Sequence, residues 1–192
     1  MKALSSALIL LSALAAPLTA QEMVSSPLRF GLTAGATAPV GDFSNESRTG
    51  FNAGGLVELG FPIVPLSFRL DAAWHQFSKR TDVFGNQFKQ RVIAADLNAL
   101  YTFAPMNPTK FYLIGGLGGY NLHFDNTISQ PTIGGPVFKE FTGSSTYFGL
   151  NAGAGVRFQF TGFSTFLEAR IHNVFTPGND VRMIPVTVGV VF

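Results

Sequence analysis

The chain has 192 residues, of which 46% are hydrophobic and 12% are charged, with no cysteine and a formal net charge of +2. An ordinary soluble domain carries about 25% charged residues, and a disordered chain has far fewer apolar side chains, so this composition fits neither class. The small, scattered positive excess argues against nucleic acid as a partner. Without cysteine the chain has no disulfide, no thiol nucleophile and no thiolate metal site.

Residues 1–20 have the pattern of a secretory signal peptide. Lys2 supplies the positive charge, residues 7–16 are apolar, and Ala20 ends a small-residue cleavage site. The alternative, a membrane anchor or buried helix, is disfavoured because the apolar run is shorter than the about 20 residues of a spanning helix. We therefore expect residues 21–27 to form a short periplasmic segment and residues 28–192 to fold as one domain.

From residue 28 onward, apolar and polar residues alternate with a period of two, which predicts β-strands with two different faces. The clear segments are 28–38, 51–61, 68–75, 93–103, 147–160, 165–172 and 183–192. One further segment, 111–120, is so rich in glycine that its inward and outward residues stay undecided. Segments of about ten residues are typical of tilted membrane strands.

The connections between these segments alternate in length. Long polar connections span 39–50, 76–90, 121–146 and 173–182, and short ones span 61–66, 104–110 and 161–164. Outer-membrane barrels have this pattern, with long loops outside the cell and short turns in the periplasm. The sequence therefore predicts an all-β fold: an eight-stranded antiparallel up-and-down transmembrane β-barrel, preceded by a cleavable signal peptide, with both termini in the periplasm.

The polar face is predicted to line the lumen. A soluble barrel of the lipocalin type would bury the apolar face instead, but here the polar face is poor in lysine, rich in glycine and balanced in charge. We expect its four arginines and four carboxylates to form a paired network, with Arg157 opposite Glu168. The network comprises Arg29, Glu58, Arg69, Asp71, Asp96, Arg157, Glu168 and Arg170.

Aromatic residues gather where the predicted strands end, as in the two girdles that mark the membrane interfaces of such barrels. Those near the short turns are Phe61, Phe103, Phe111, Phe160, Phe163 and Phe192. Those near the long loops are Phe51, Trp74, Tyr147 and Phe175. This distribution favours a membrane barrel over a soluble one.

The final strand alternates from Val186 and ends in Phe192, which resembles the signal that outer-membrane proteins present to the barrel-assembly machinery. Together with residues 35–43 (GATAPVGDF) and 166–170 (FLEAR), it makes residues 28–192 similar to the outer-membrane protein A-like family of small eight-stranded barrels. The resemblance implies the outer membrane of a Gram-negative-type bacterium, with Phe192 as assembly signal and the assembly machinery as a partner during insertion. It leaves the function open, because this family includes structural proteins, adhesins, small pores and a few enzymes.

No residue is predicted to be catalytic, to bind a cofactor or to bind a metal. The glycines at 115–119 lack the spacing of a nucleotide-binding loop. Lipid A deacylases carry a serine two positions after a catalytic histidine, whereas His172 is followed two positions later by Val174. The other histidines, His75 and His123, form no pair with zinc-ligand spacing.

Two loop features are candidate contact sites. Lys79, Arg80, Lys89 and Arg91 cluster around the second long loop. They are either solvated side chains or contacts to lipopolysaccharide phosphates. The longest loop, 121–146, is apolar at Phe124, Ile128, Ile133, Val137, Phe138 and Phe141. It either extends its flanking strands as a hairpin or offers a surface to a partner.

An eight-stranded barrel is only wide enough for its own side chains. We therefore expect a non-enzymatic outer-membrane protein with a charge-plugged lumen that serves envelope integrity or surface interaction through its loops. A narrow channel or transporter for small solutes is the alternative, and a lipid A-modifying enzyme is a weaker one. The expected partners are outer-membrane lipid and lipopolysaccharide, and the sequence leaves any extracellular partner unidentified.

Overall fold

A computed structural model of the chain describes residues 28–61, 64–81, 86–103, 105–132 and 135–192. The predicted signal peptide and the segment 21–27 lie outside the described residues. The elements in chain order are β1 (Leu28–Val40), α1 (Phe43–Glu46), β2 (Arg48–Gly60), β3 (Leu66–Ser78), β4 (Arg80–Thr81), β5 (Gln87–Phe103), β6 (Thr109–Thr132), β7 (Gly135–Gln159), β8 (Ser164–Val174) and β9 (Val181–Val191). Within the described ranges, no helix is long and apolar enough to cross a membrane.

The strands form one closed antiparallel sheet. Each long strand pairs with its neighbours in the sequence, and β1 closes the barrel by pairing with both β2 and β9. The two-residue β4 follows β3 along the same partner, β5, so eight long strands surround the lumen. The prediction of an eight-stranded antiparallel up-and-down barrel is confirmed.

The two faces of the sheet are sorted as the period-two pattern predicts. Apolar side chains such as Leu32, Leu70 and Val188 point outward and are about half exposed, whereas Arg69 and Glu58 point inward and are fully buried. In the glycine-rich strand β6, Tyr112, Ile114 and Tyr120 face inward, while Phe111, Leu113 and Leu117 face outward. A belt of exposed apolar side chains around a polar interior is the arrangement of a membrane barrel.

Glycines on the inner face make room for large lumen side chains. A Cβ atom on Gly155 would lie 2.4 Å from the ring of Tyr112, and one on Gly118 would lie 2.2 Å from a carboxylate oxygen of Asp96. Both distances are shorter than any real contact. Gly118 of β6 and Gly155 of β7 are therefore explained by the crowding of the lumen rather than by ligand binding.

The barrel has two different ends, which we call the turn end and the loop end. The turn end carries the short connections β2–β3, β5–β6 and β7–β8. The loop end carries α1 and the long β6–β7 hairpin, which continues the two strands to Thr132 and Gly135. Residues 121–146 are predicted either to extend the flanking strands as a hairpin or to offer a surface to a partner, and their backbone forms the hairpin. Ile133 lies outside the described residues, as do the side chains of Ile128, Val137 and Phe138.

Apolar clusters lie inside the barrel near both ends. At the loop end, Phe43 of α1 is buried and packs edge to face on Phe77, with 5.0 Å between the ring centroids. This loop-end cluster comprises Phe43, Phe77, Val92, Ala94, Tyr120, Val174 and Met183. The turn-end cluster comprises Leu56, Leu100, Tyr112, Ile114, Phe166 and Val191. The polar groups of the lumen lie mainly between and beside these clusters.

Candidate functional site: the barrel lumen

Toward the turn end, Glu58 is completely buried and receives two arginines. Arg29 lies directly opposite it on β1 and donates from Nη2 to Oε1. Arg157 reaches it from β7 and donates from Nη1 to Oε1 at 2.8 Å and from Nη2 to Oε2. The guanidinium of Arg157 also lies over the ring of Tyr112, 5.6 Å from its centroid. A paired fork of this kind is the strong form of an arginine–carboxylate contact.

Midway along the lumen, two arginines and two carboxylates alternate in a closed ring. Arg69 contacts Asp71 at 3.0 Å and Glu168 at 2.8 Å, and Arg170 contacts the same two carboxylates at 3.4 and 2.9 Å. Tyr112 donates to the second oxygen of Glu168 at 2.7 Å. All four side chains are buried. Each carboxylate contacts both arginines, so every buried charge in the ring is compensated by a partner of opposite charge.

Two histidines and a tyrosine occupy the lumen toward the loop end. The Tyr120 hydroxyl donates to Asp96 and lies 2.9 Å from Nδ1 of His172. The second histidine, His75, has its Nδ1 atom 2.9 Å from the hydroxyl of Thr37. The two imidazoles meet edge to face, with centroids 6.2 Å apart. The motifs in the sequence do not indicate this layer, although the inward parity of these residues on their strands is consistent with it.

The structure divides the eight predicted lumen charges into groups. Arg29, Glu58 and Arg157 form one cluster, and Arg69, Asp71, Glu168 and Arg170 form another. Asp96 is held by Tyr120 rather than by an arginine. The expected pair of Arg157 and Glu168 does not form, because the register sets Arg157 opposite Phe166 and Glu168 opposite Gly155.

Of the basic residues expected to contact lipopolysaccharide, Lys79 and Lys89 are exposed and line a shallow surface cavity of about 210 Å³ together with Asp125 and Glu140. Arg91 is half-buried, and the side chain of Arg80 lies outside the described part. Phe192 is 64% exposed on the outer face, and its backbone exchanges hydrogen bonds with Phe30 at 2.8 and 3.3 Å. Within the described ranges, no group of three or more histidine and acidic side chains could hold a metal ion.

An outward apolar belt, a polar lumen and eight antiparallel strands define an outer-membrane β-barrel protein. The family model of the outer membrane protein beta-barrel domain matches residues 6–192. The chain therefore belongs to this family, which confirms the resemblance to small outer-membrane barrels and the outer-membrane location.

Solved structures show the same fold. The chain is 20% identical to Neisserial surface protein A, with 86% of this chain and 96% of that one covered and a TM-score of 0.56. It is 15% identical to a major outer membrane protein from Thermus thermophilus, with 86% and 98% covered and a TM-score of 0.61. No curated protein sequence matches the chain.

Proposed function

We propose that the chain is a non-enzymatic outer-membrane protein whose lumen is closed by its charge network, and that it supports envelope integrity or surface interactions through its loops. The observation that carries this proposal is that ion pairs cross the lumen. Arg69 on β3 bonds Glu168 on β8, and Arg157 on β7 bonds Glu58 on β2. An eight-stranded barrel has space only for its own side chains, so these crossing pairs occupy the path that a solute would take.

The orientation follows the general rule for such barrels: short turns and both termini in the periplasm, and long loops outside. In that orientation the β6–β7 hairpin projects from the cell surface, and its half-exposed Phe124 and Phe141 offer apolar contacts to a partner. Lys79 and Lys89, with Arg80 and Arg91 nearby, then lie close to the outer leaflet. Each basic side chain near lipopolysaccharide phosphates contributes roughly 1 kcal/mol of attraction.

The surroundings of the histidines support a non-enzymatic role. Hydrolysis of a lipid ester needs a nucleophile, a base and an orienting carboxylate within reach of the substrate. His172 is buried inside the barrel and contacts Tyr120 and Asp96, and neither contact is a serine. A lipid in the surrounding membrane lies on the other side of the sheet.

Planar-bilayer recording tests the proposal. We expect the native barrel to conduct weakly or not at all, and the Arg157→Ala and Glu168→Ala variants to leak more because each opens part of the crossing network. The matched control is Lys139→Ala, a change at an exposed hairpin residue, which should leave conductance at the native level. If the native protein shows a large, steady conductance that these substitutions do not change, the lumen is open. The proposal of a closed lumen is then wrong, and the alternative, a channel, is supported. New lipid A species on expression would instead indicate an enzyme.

A further inference from the structure

Two cations lie side by side at the turn end of the lumen. The β6–β7 register sets Lys110 directly opposite Arg157, and both side chains line the same cavity. Directly opposed residues in an antiparallel pair have Cβ atoms about 5 Å apart, and like charges in such a pair repel each other. Arg29 lines the same cavity and adds a third cation.

One carboxylate faces these three cations. Glu58 already receives both guanidinium groups, with all its bonds going to Arg29 and Arg157. Among the described residues, no carboxylate lies within ion-pair distance of Lys110. The central ring, in contrast, has one carboxylate for every arginine. The turn end therefore carries a local excess of positive charge in a partly buried place, where an unpaired charge is costly.

A cavity lies between these cations. It has a volume of about 150 Å³, and one side of its wall carries the polar residues Arg29, Lys110, Arg157, Ser67, Thr102 and Glu58. The rest of the described wall consists of Tyr112 and small or apolar residues: Gly60, Phe61, Val64, Pro65, Leu66 and Pro105. The volume exceeds that needed for one water molecule, which is about 10–15 Å³ on the same kind of measure.

We propose that this cavity is a binding site for the oxyanion of a phosphate group. The phosphate would lie between Lys110 and Arg157, would accept hydrogen bonds from their cationic groups and from the hydroxyls of the wall, and would remove the repulsion of the opposed pair. Guanidinium and ammonium groups converging on one oxyanion form charge-assisted hydrogen bonds, which are the strong kind. The site goes beyond the proposed plug: a closed lumen needs no ligand at its mouth, and a phosphate site does not require a closed lumen.

The test is calorimetric titration of the purified barrel with sodium phosphate. The barrel is held in an alkyl glucoside detergent, which carries no phosphate, in Tris buffer with ionic strength kept constant by sodium chloride. We expect saturable binding by the native protein and at least about tenfold weaker binding by Lys110→Gln, since one charge-assisted bond is lost. The control Lys89→Gln, at an exposed lysine outside the cavity, should bind as the native protein does.

Thermal unfolding supplies a second measurement, in which the effect of Lys110→Gln on the unfolding temperature depends on whether phosphate is present. Without phosphate, Lys110→Gln should unfold at a higher temperature than the native barrel, because it removes the repulsion with Arg157. Phosphate should raise the unfolding temperature of the native barrel, and at the same concentration it should raise that of Lys110→Gln by less, because the variant binds more weakly. If Lys110→Gln does not fold, the native titration alone decides, because absence of saturable binding overturns the proposal. Equal binding by Lys110→Gln and the native protein also overturns it.

The source of the phosphate is distinguished by repeating the titration in phosphatidylglycerol nanodiscs. Saturable binding of inorganic phosphate in both detergent and nanodiscs assigns the site to a free anion. Binding in detergent that disappears in nanodiscs assigns it to a lipid headgroup, which already occupies the cavity in the bilayer. Both outcomes support a phosphate site, and failure in detergent refutes it whatever the conductance of the barrel.

Discussion

The Glu58→Gln substitution tests whether the turn-end cluster stabilises the barrel. The side chain keeps its shape but loses the charge that holds Arg29 and Arg157. Of the three hydrogen bonds that the carboxylate accepts, the amide oxygen can keep those to Oε1, and the amide nitrogen then faces a guanidinium donor. Removing one partner of a buried ion pair costs about 3–5 kcal/mol. Because two arginines lose their counterion at once, we expect a decrease of about 4 kcal/mol in the free energy of unfolding, within that range.

The free energy of unfolding can be measured by urea titration of the barrel in lipid vesicles, followed by fluorescence of Trp74, the single tryptophan of the chain. Trp74 faces outward and is 38% exposed, so its emission responds when the barrel leaves the bilayer. The control is Asp125→Asn, which removes a half-exposed carboxylate 3.4 Å from His123 and should cost less than about 1 kcal/mol. A loss for Glu58→Gln no larger than that of the control would refute the stabilising role of the cluster.

Two further predictions concern the ends of the barrel. Deleting Phe192 or replacing it with Asp should reduce insertion far more than Ser144→Asp on the exposed hairpin, as measured by heat-modifiable mobility of the membrane fraction. Equal insertion of these variants would show that Phe192 is not an assembly signal. Phe43→Ala should lower the free energy of unfolding by about 3–5 kcal/mol, because it empties a buried aromatic site against Phe77. Ser44→Ala, next to it on the exposed side of α1, should cost less than about 1 kcal/mol, and an equal loss in both variants would show that Phe43 does not support the loop end.

The sequence was sufficient to predict the strands and their faces wherever the two faces differ in chemistry. The period of two predicts the correct sides for Phe30 and Arg69, because it fixes the side of every residue in a strand. In the glycine-rich segment 111–120 the inward and outward residues cannot be predicted from the pattern, because both faces carry apolar residues. Its inward set, including Tyr112 and Tyr120, is selected by the space that glycines of neighbouring strands leave, which is a property of the assembled barrel.

The pairing of charges could not be predicted, for two physical reasons. The turn between β7 and β8 is tighter than the sequence indicated: Phe160 bonds Phe163, and Gly162 adopts a positive φ of 86°. This two-residue turn sets the register of the hairpin, so Glu168 lies opposite Gly155 rather than Arg157. The second reason is that Arg157 and Glu58 meet across the lumen, and contacts across a barrel depend on strand tilt and stagger, which no local pattern contains.

The hydrogen bonds between Phe30 and Phe192 have a consequence for the kinetics of folding. They join strands β1 and β9, which lie at opposite ends of the described chain, whereas the other long strands pair with sequence neighbours. Closing a flexible loop of that length costs on the order of 4–5 kcal/mol of entropy, so the seam is expected to close after the local hairpins have formed. Until then the chain is an open sheet whose β1 and β9 edges are both free to pair with another copy. The time spent in this open state, rather than the stability of the finished barrel, then sets the competition between insertion and aggregation.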